Sequence, residues 1–558
     1  MKGIVVVGLL VVLVGLLALV SVVDECSATD IIVDTGGNGD YLTIQEGIDN
    51  SSNGDTVFVW AGTYSENVEL NVSISLVGNG SSSTIIDDGS VGAVLNISSS
   101  WCNVTGFNIT ASNSNGINIS VDNVTISDTV VYSNDGHGLY IFGNHTDVRY
   151  CDIFSNILNG VYVDGDFASF LWCNISSNDK TGIGNTGGLI ITPNLIMSWC
   201  NISGNEQGGY LFGDNMHISN CSFSSHLVSG IHIGGDYITI RDCNISSNGG
   251  NGIVIASTSK YTSIINNIFN TNTQSGINMG IHVWDSVFSH NTLVHNGFNG
   301  IVVNVFGKNN RFDNNSLVSE SGSYGMQLST QSHHNTIENN TLVSENEVGI
   351  KLTNSDYNVI QYNNISTNSN QGIWLTSGSD WNTIAFTTFY DNLVGVQIDS
   401  SSNNSVYNCT FELNDYGINI TGNSYDNHIY YNEFIENVVQ ADDGFATIWD
   451  DGISRGNYWS DYLGVDLDGD GIGDTLLDHL GFDQYPIVHA VSPPEPEEED
   501  EEEAGVGSTI QTLLVGILPL IVIVSVFKLL RKNMDDVTVD KKKEMVAGGR
   551  RRRRRGKL

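Results

Sequence analysis

The chain has 558 residues, 62 Asp and Glu against 22 Lys and Arg, and 61 glycines, giving a formal net charge of -40. A single compact domain rarely reaches this length, so several domains or one elongated repeat architecture are expected. Thirteen of the basic residues lie from Lys528 onward; the acidic remainder argues against nucleic acid or an anionic membrane as its partner and suits cations, polysaccharide or salty water.

At the N-terminus Met1-Lys2 precedes an apolar run from Ile4 to Val23 and a small-residue exit, Cys26-Ser27-Ala28. Residues 1–28 therefore read as a secretory signal cleaved after Ala28. Residues 30–100 read as an N-terminal cap with the first coils. Within them Thr43 to Asn50 is the one helix-like piece, placed to plug the open end of a core.

Self-similarity dominates residues 101–445. A glycine followed by an apolar, any, apolar triplet recurs at Gly116, Gly138, Gly160, Gly182, Gly209, Gly230 and Gly252, and then from Gly276 to Gly417, at spacings of 21 to 27 residues. An apolar residue stands seven before most of these glycines and an Asn four before. Units this short, rich in Ile, Val, Asn, Ser and Gly, cannot be helical hairpins. They read as short strands joined by Asn/Gly turns. One coil cannot bury its own inner face, whereas stacked coils can. The expectation is an all-β, right-handed, single-stranded parallel β-helix of roughly fifteen coils, with glycine at the φ > 0 corner and inward Asn ladders.

The register makes two further statements. In Cys173-Asn174-Ile175-Ser176 and Cys243-Asn244-Ile245-Ser246 the Ile must face in, so Cys faces in and Asn faces out. Nineteen N-x-S/T sequons lie between Asn50 and Asn419, and Asn174, Asn201, Asn244 and Asn364 are outward glycosylation candidates. Cys151, Cys173, Cys200, Cys221 and Cys243 lie nine residues before their glycines and should stack inward on successive coils, about 4.8 Å apart. A buried thiol ladder is the plainest reading; disulfides between adjacent coils and a soft-metal thiolate site are the alternatives.

Residues 446–491 read as a C-terminal cap containing Asp466-Leu467-Asp468-Gly469-Asp470-Gly471-Ile472-Gly473-Asp474. Asp466, Asp468 and Asp470 at alternate positions, the Ile472 carbonyl and Asp474 form an oxygen cage of EF-loop type for calcium, although Leu477 stands at the twelfth position and Asp478 is one out of step. Calcium would lock the cap and seal the last coil against edge pairing. Residues 492–507 are an acidic Pro/Glu linker, an extended self-repelling stalk. Residues 508–530 are apolar enough for one transmembrane helix. The basic tail 531–558 places itself in the cytoplasm and the acidic bulk outside a plasma membrane.

Both caps carry a resemblance. Gly37-Asn38-Gly39-Asp40-Tyr41, Thr43 to Asp49 and Gly62-Thr63-Tyr64 resemble the first segment of pectin-lyase-like β-helix proteins, including pectin methylesterases. The catalytic Gln, Asp and Arg-x-Trp motifs of the latter have no counterpart here. Asp135-Gly136-His137-Gly138 is similar to a polygalacturonase Gly-His-Gly, but Gly138 already belongs to the repeat. Gly456-Asn457-Tyr458-Trp459-Ser460-Asp461-Tyr462, the acidic loop and Asp483-Gln484-Tyr485-Pro486 resemble the closing motif of NosD-type β-helix proteins. Three functions follow: a non-catalytic surface protein that binds carbohydrate or builds a cell envelope; a polysaccharide hydrolase, lyase or epimerase using outward acids such as Asp236, Asp242 and Asp285; and, through the resemblance, a copper-maturation accessory. No carboxylate pair stands out for sugar cleavage, and the His residues lack ligand spacing.

Overall fold

The computed structural model describes residues 28–87, 92–184, 192–318, 324–343, 347–444, 447–474 and 483–488. The chain divides into two units, Met1–Val491 and Ser492–Leu558, and every described residue belongs to the first. The expected signal (save Ala28), linker, transmembrane helix and basic tail lie outside the described residues. Among those described, no helix is long and apolar enough to cross a membrane.

Three strands make each turn, and each strand pairs in parallel with its counterparts one coil before and after. Among the described residues the result is three stacked sheets of 19, 18 and 17 strands, here A, B and C, and about 18 turns. The excess over fifteen comes from the ends: Asp30–Val33, Thr56–Val59, Ser75–Gly78 and Asn103–Thr105 already stack in sheet A before the first repeat glycine.

Strands of three residues follow from period-two alternation at a sharp corner. In sheets A and B the middle residue is buried, as Ile126 in Thr125–Ser127 and Val131 in Val130–Tyr132. Sheet C inverts this: Leu139 and Ile141 are buried and Tyr140 faces out. The inward residues stack into one continuous apolar core. Each fully buried Ile or Leu contributes about 1.5–3 kcal/mol. Toward the C-terminus Phe389, Phe411 and Phe434 stack at 4.8 Å, closed by Trp459 at 4.4 Å.

The corners correct one expectation. The repeat glycines have no positive φ; the left-handed positions are non-glycine residues, three per coil, such as Asn123, Asp128 and Ser133, then His145, Tyr150 and Ser155, then Phe167, Trp172 and Ser177. Such a backbone costs roughly 1–2 kcal/mol per residue. The residue after each corner turns inward, and there Asn side chains bond from coil to coil. Asn134, Asn156, Asn178 and Asn205 form one ladder at 2.9–3.0 Å. Asn267 to Asn363 form a second, and Asn310 to Asn427 a third. Each Asn also caps backbone groups that the corner would leave unpaired.

The repeat glycines answer to space instead. A Cβ on Gly138 would sit 2.6 Å from the Gly160 carbonyl oxygen and from Ile153 Cγ2. The same test places Gly208, not Gly209, in the column: its Cβ would meet the Gly230 oxygen at 2.2 Å, and Gly209 pairs with Ile231. Asn205-Glu206-Gln207 is one residue shorter than the corresponding turns, which shifted the count from sequence.

A helix α1 (Ile44–Asp49) caps the first coil, with Ile44, Gly47 and Ile48 buried. Thr43 accepts from the Glu46 N–H at 3.2 Å, and Glu66, from the next coil, accepts from the N–H groups of Ile44 and Gln45. At the other end Trp449 and Trp459 are fully buried. Asp483, also fully buried, accepts from Trp459 Nε1 and the backbone N–H groups of Asn457 and Tyr485. Burial, outweighing these donors, pushes its carboxyl up to about 6.

Candidate ligand-binding face and acidic loop

The inverted pattern of sheet C lifts one side chain per coil onto its outer face, and over five coils that column is largely aromatic. Tyr140 and Tyr162 lie on adjacent rungs with centroids 4.7 Å apart. His137 stacks on Tyr140 at 5.4 Å and contacts Tyr162 at 5.1 Å, while Phe142 meets Tyr140 edge-on at 4.6 Å. The next rung carries Gly184, which has no side chain to present. Beyond it Tyr210, Phe212 and His232 form a second group at 4.9–5.4 Å. The face is thus two aromatic platforms separated by a bare rung.

Burial pushes His137 down to about 4 and lowers His232, so both rings are neutral at neutral pH. His137 Nδ1 accepts the Asn159 N–H at 3.1 Å; the Gly-His-Gly is a turn contact with an aromatic outer face. Asp164 follows the Tyr162 strand, and burial, with the charge of Asp166 second, raises its pKa.

The structure does not bring Asp236, Asp242 and Asp285 together. Asp236 accepts the Lys260 N–H, Asp242 accepts Asn266 Nδ2 and pairs with Arg241, and Asp285 accepts Asn309 Nδ2. Each binds the following coil at a turn or corner.

The acidic loop does gather. Carboxylate oxygens of Asp466, Asp468 and Asp470 lie within 4.8 Å of one another. Gly469 and Gly471 adopt φ of 81° and 89°, which lets their N–H groups, at 2.6 and 2.8 Å, point at the two Asp466 oxygens. The Gly471 bond, the larger effect, together with that from Gly469 holds Asp466 below the usual carboxylate range. Asp474 stands outside this group, its Oδ2 accepting the Leu467 N–H at 2.5 Å, and Ile472 donates its N–H to Asp470. Leu477 and Asp478 lie outside the described residues. Ile472 also bridges Ile487, which bridges Tyr458 of the last coil. The loop is thereby tied to the cap, and its hard oxygen donors fit calcium.

The five Cys do stack inward, 1–3% exposed and free, at the corner between sheets A and B. Their Sγ atoms donate to the carbonyl two residues back at 3.2–3.5 Å. A hydrogen bond with Cys173 and then burial push Cys200 up to about 12. Cys409 recurs in the column beyond the Asn ladder, pushed to about 12 by burial. Hydrogen bonds with Cys151 and Cys200 push Cys173 down, so the column is a packing slot of buried thiols that bond to one another. Asn174, Asn201, Asn244 and Asn364 all face outward on sheet B, and Asn201 Nδ2 donates to Asn174 Oδ1 at 2.9 Å.

The family model described as right handed beta helix region matches residues 143–298 and 279–434, more than half of the chain. The chain belongs to the right-handed β-helix family. It is 40% identical over 76 residues to a probable ABC transporter binding protein NosD of Stutzerimonas stutzeri, a match covering 13% of this chain and 17% of that one. The same protein of Pseudomonas aeruginosa is 44% identical over 68 residues, covering 11% and 15%. The matches thus span less than a fifth of either relative. Among solved structures, the mannuronan C-5 epimerase AlgE6 A-module of Azotobacter vinelandii is similar at 16% identity and a TM-score of 0.31, covering 72% of this chain and 94% of the module. Pectate lyase Pel9A is similar at 15% identity and a TM-score of 0.28, covering 57% and 79%.

Reasoning from the sequence of this β-helix protein missed the aromatic face. Its signal is the middle position of the triplet after each repeat glycine: Tyr140, Tyr162, Tyr210 and His232. The apolar flanks of the triplet carry the periodic signal, and the variable residue between them is the one that faces outward.

Proposed function

We propose that this β-helix protein is a membrane-tethered surface protein that binds carbohydrate, without cleaving it, on the outer face of sheet C. The observation that carries this reading is the pair of half-buried aromatic groups, Tyr140 with Tyr162 and Tyr210 with His232, in register along the outer face of sheet C. Sugar rings stack their C–H faces on such side chains, and Tyr hydroxyls supply hydrogen bonds at the rim. The apolar segment 508–530 and the basic tail after it are the tether, holding the ectodomain outside a plasma membrane. In this reading Asp466, Asp468 and Asp470 bind calcium and lock the cap, and the sheet B sequons carry glycans. Calorimetry on the full-length chain in detergent tests the loop: neither calcium binding nor a calcium-dependent melting shift would remove that part of the reading.

A second reading is a sugar-cleaving enzyme, favoured by the raised pKa of Asp164 next to the aromatic face, as a general acid requires. A screen of oligosaccharides against the full-length chain, read for binding and for products, separates the two. For a copper-maturation accessory, the acidic loop is the one group of three or more potential ligands among the described residues, and its oxygens suit calcium better than copper.

A further inference from the structure

The corner between sheets C and A carries a column unlike its neighbours. Lys260, Trp284 and Lys308 stand on three successive rungs, each bridging the next in parallel. The column begins one coil beyond His232, and the backbones of its two lysines are about 10 Å apart along the axis, two strand spacings. Trp284 Nε1 donates to the Phe306 carbonyl at 2.7 Å, which fixes the indole. Lys260 Nζ lies over that ring, 5.1 Å from its centroid. His282 meets Trp284 edge-on at 5.3 Å and stacks on Phe306 at 4.8 Å. Beside the column Tyr261 stacks on Tyr237 at 4.8 Å. The surface is open: Lys308 is exposed, Lys260 and Trp284 are half-buried, and Tyr261 and Phe306 are 46% and 38% exposed.

The described residues include eight Lys and Arg, in a chain of net charge -40. Arg149, Lys180, Arg241 and Arg311 are ion-paired. Lys260 and Lys308 are not, and neither ammonium has a hydrogen-bond partner among the described residues. The acids of the same corner are engaged: Asp236 accepts the Lys260 backbone N–H at 2.9 Å, and Asp285 accepts Asn309 Nδ2 at 3.0 Å. Two uncompensated cations flanking an aromatic ring attract anionic charge. Charges farther off than about 8 Å are largely screened in physiological salt, so this pair outweighs the acidic bulk locally. A small anion would engage one lysine, whereas an extended polymer reaches both. An acidic peptide fits poorly. The N–H groups of Trp284 and Lys308 donate to Ser259 and Val283, and the carbonyls of Lys260, Trp284 and Lys308 accept from Tyr237, Tyr261 and Asp285. These groups are spent, so no strand can add here. A sugar chain needs none of them, and its C–H faces suit exposed aromatic rings.

We propose that Lys260, Trp284 and Lys308 bind an acidic polysaccharide lying along the solenoid axis. Its carboxylate or sulfate groups pair with the two ammonium groups, and a sugar ring between them packs on Trp284 and Tyr261. The site is separate from the sheet C face and stands whether or not that face binds sugar.

The full-length chain in detergent is titrated by calorimetry with an oligoglucuronate, a sulfated dextran oligosaccharide, neutral dextran of the same length, inorganic sulfate and a polyglutamate peptide. The expected result is binding of an acidic oligosaccharide, weakened about tenfold by Lys260→Met and by Lys308→Met at unchanged melting and kept by Lys260→Arg. Added salt should weaken it, less steeply in each Met variant. Tighter oligoglucuronate names a carboxylate as the source, and tighter sulfated dextran a sulfate. The site is overturned if neither acidic oligosaccharide binds, if the Met variants bind undiminished, or if neutral dextran, sulfate or polyglutamate binds as tightly. Tyr140→Ala should leave this binding unchanged; its loss there would move the acidic sugar to sheet C and overturn the corner site, while the carbohydrate reading of that face would stand.

Discussion

The two halves of the solenoid fill one slot with opposite chemistry. At the corner between sheets A and B, Cys151 to Cys243 occupy the inward position over five coils, and Asn267, Asn291, Asn315, Asn340 and Asn363 occupy it over the next five. A thiol there is a small hydrophobe whose weak donor reaches the carbonyl two residues back and, at Cys151, Cys173 and Cys200, a carbonyl of the coil behind, with nothing as strong as the amide's bond to the coil ahead. An amide binds the coil behind and the coil ahead, as Asn315 does through Phe288 and Asn340 at 2.8 and 3.0 Å. The same backbone corner is therefore held by packing in one half and by a hydrogen-bond chain in the other.

The sharpest way to break this comparison is to remove one member of each column. Asn315→Ala removes the side-chain partner of three buried groups, the Asn291 backbone N–H, Asn291 Nδ2 and the Phe288 carbonyl, and should cost about 3 kcal/mol in denaturant unfolding. Cys200→Ala leaves a small apolar void and should cost about 1 kcal/mol. Equal losses would mean that the ladder is no stiffer than the thiol column.

Comparable in size to the larger of these losses are two responses to acid of opposite sign. His226 interrupts the first Asn ladder, taking the Asn205 N–H on Nδ1 at 3.2 Å. Burial depresses it from 6.5 to about 4, so its contribution is present above 6.5 and lost as pH falls through about 4, some ~3 kcal/mol in all. His226→Asn should abolish that loss. Asp483 is raised from 3.8 to about 6 by burial; its contribution is full below 3.8 and lost as pH rises through about 6, up to ~3 kcal/mol. Acid should thus loosen the middle of the solenoid while tightening the tryptophan cap, read by hydrogen exchange at the two places. A cap that loosens on acidification to pH 4 contradicts the Asp483 assignment. The smallest effect is at the loop: Asp468→Asn should weaken calcium binding about tenfold and leave calcium-free melting unchanged.

Much of this was legible in the sequence because a repeat writes the same constraint many times. Inward Ile, inward Cys and outward Asn174, Asn201, Asn244 and Asn364 follow from alternation alone, and α1 (Ile44–Asp49) from its place before the first coil. The glycines show where that logic stops. A recurring Gly signals either a left-handed corner or a close approach, and spacing does not separate them; only the 2.6 Å from a Gly138 Cβ to the next coil does. The corners themselves went not only to Asn, Asp and His, which are enriched in the left-handed region, but also to Ser, Tyr and Trp, which are not. The aromatic face was hidden for a different reason, because outward positions carry no periodic constraint and vary freely from coil to coil.

The measurement that bears most directly on the central claim is an oligosaccharide screen of the full-length chain against its Tyr140→Ala/Tyr162→Ala variant, with and without calcium, read for binding and for products. The expected result is binding without products, weakened at least about tenfold in the variant at unchanged melting. Undiminished binding in the variant, or release of cleaved sugar, would contradict it.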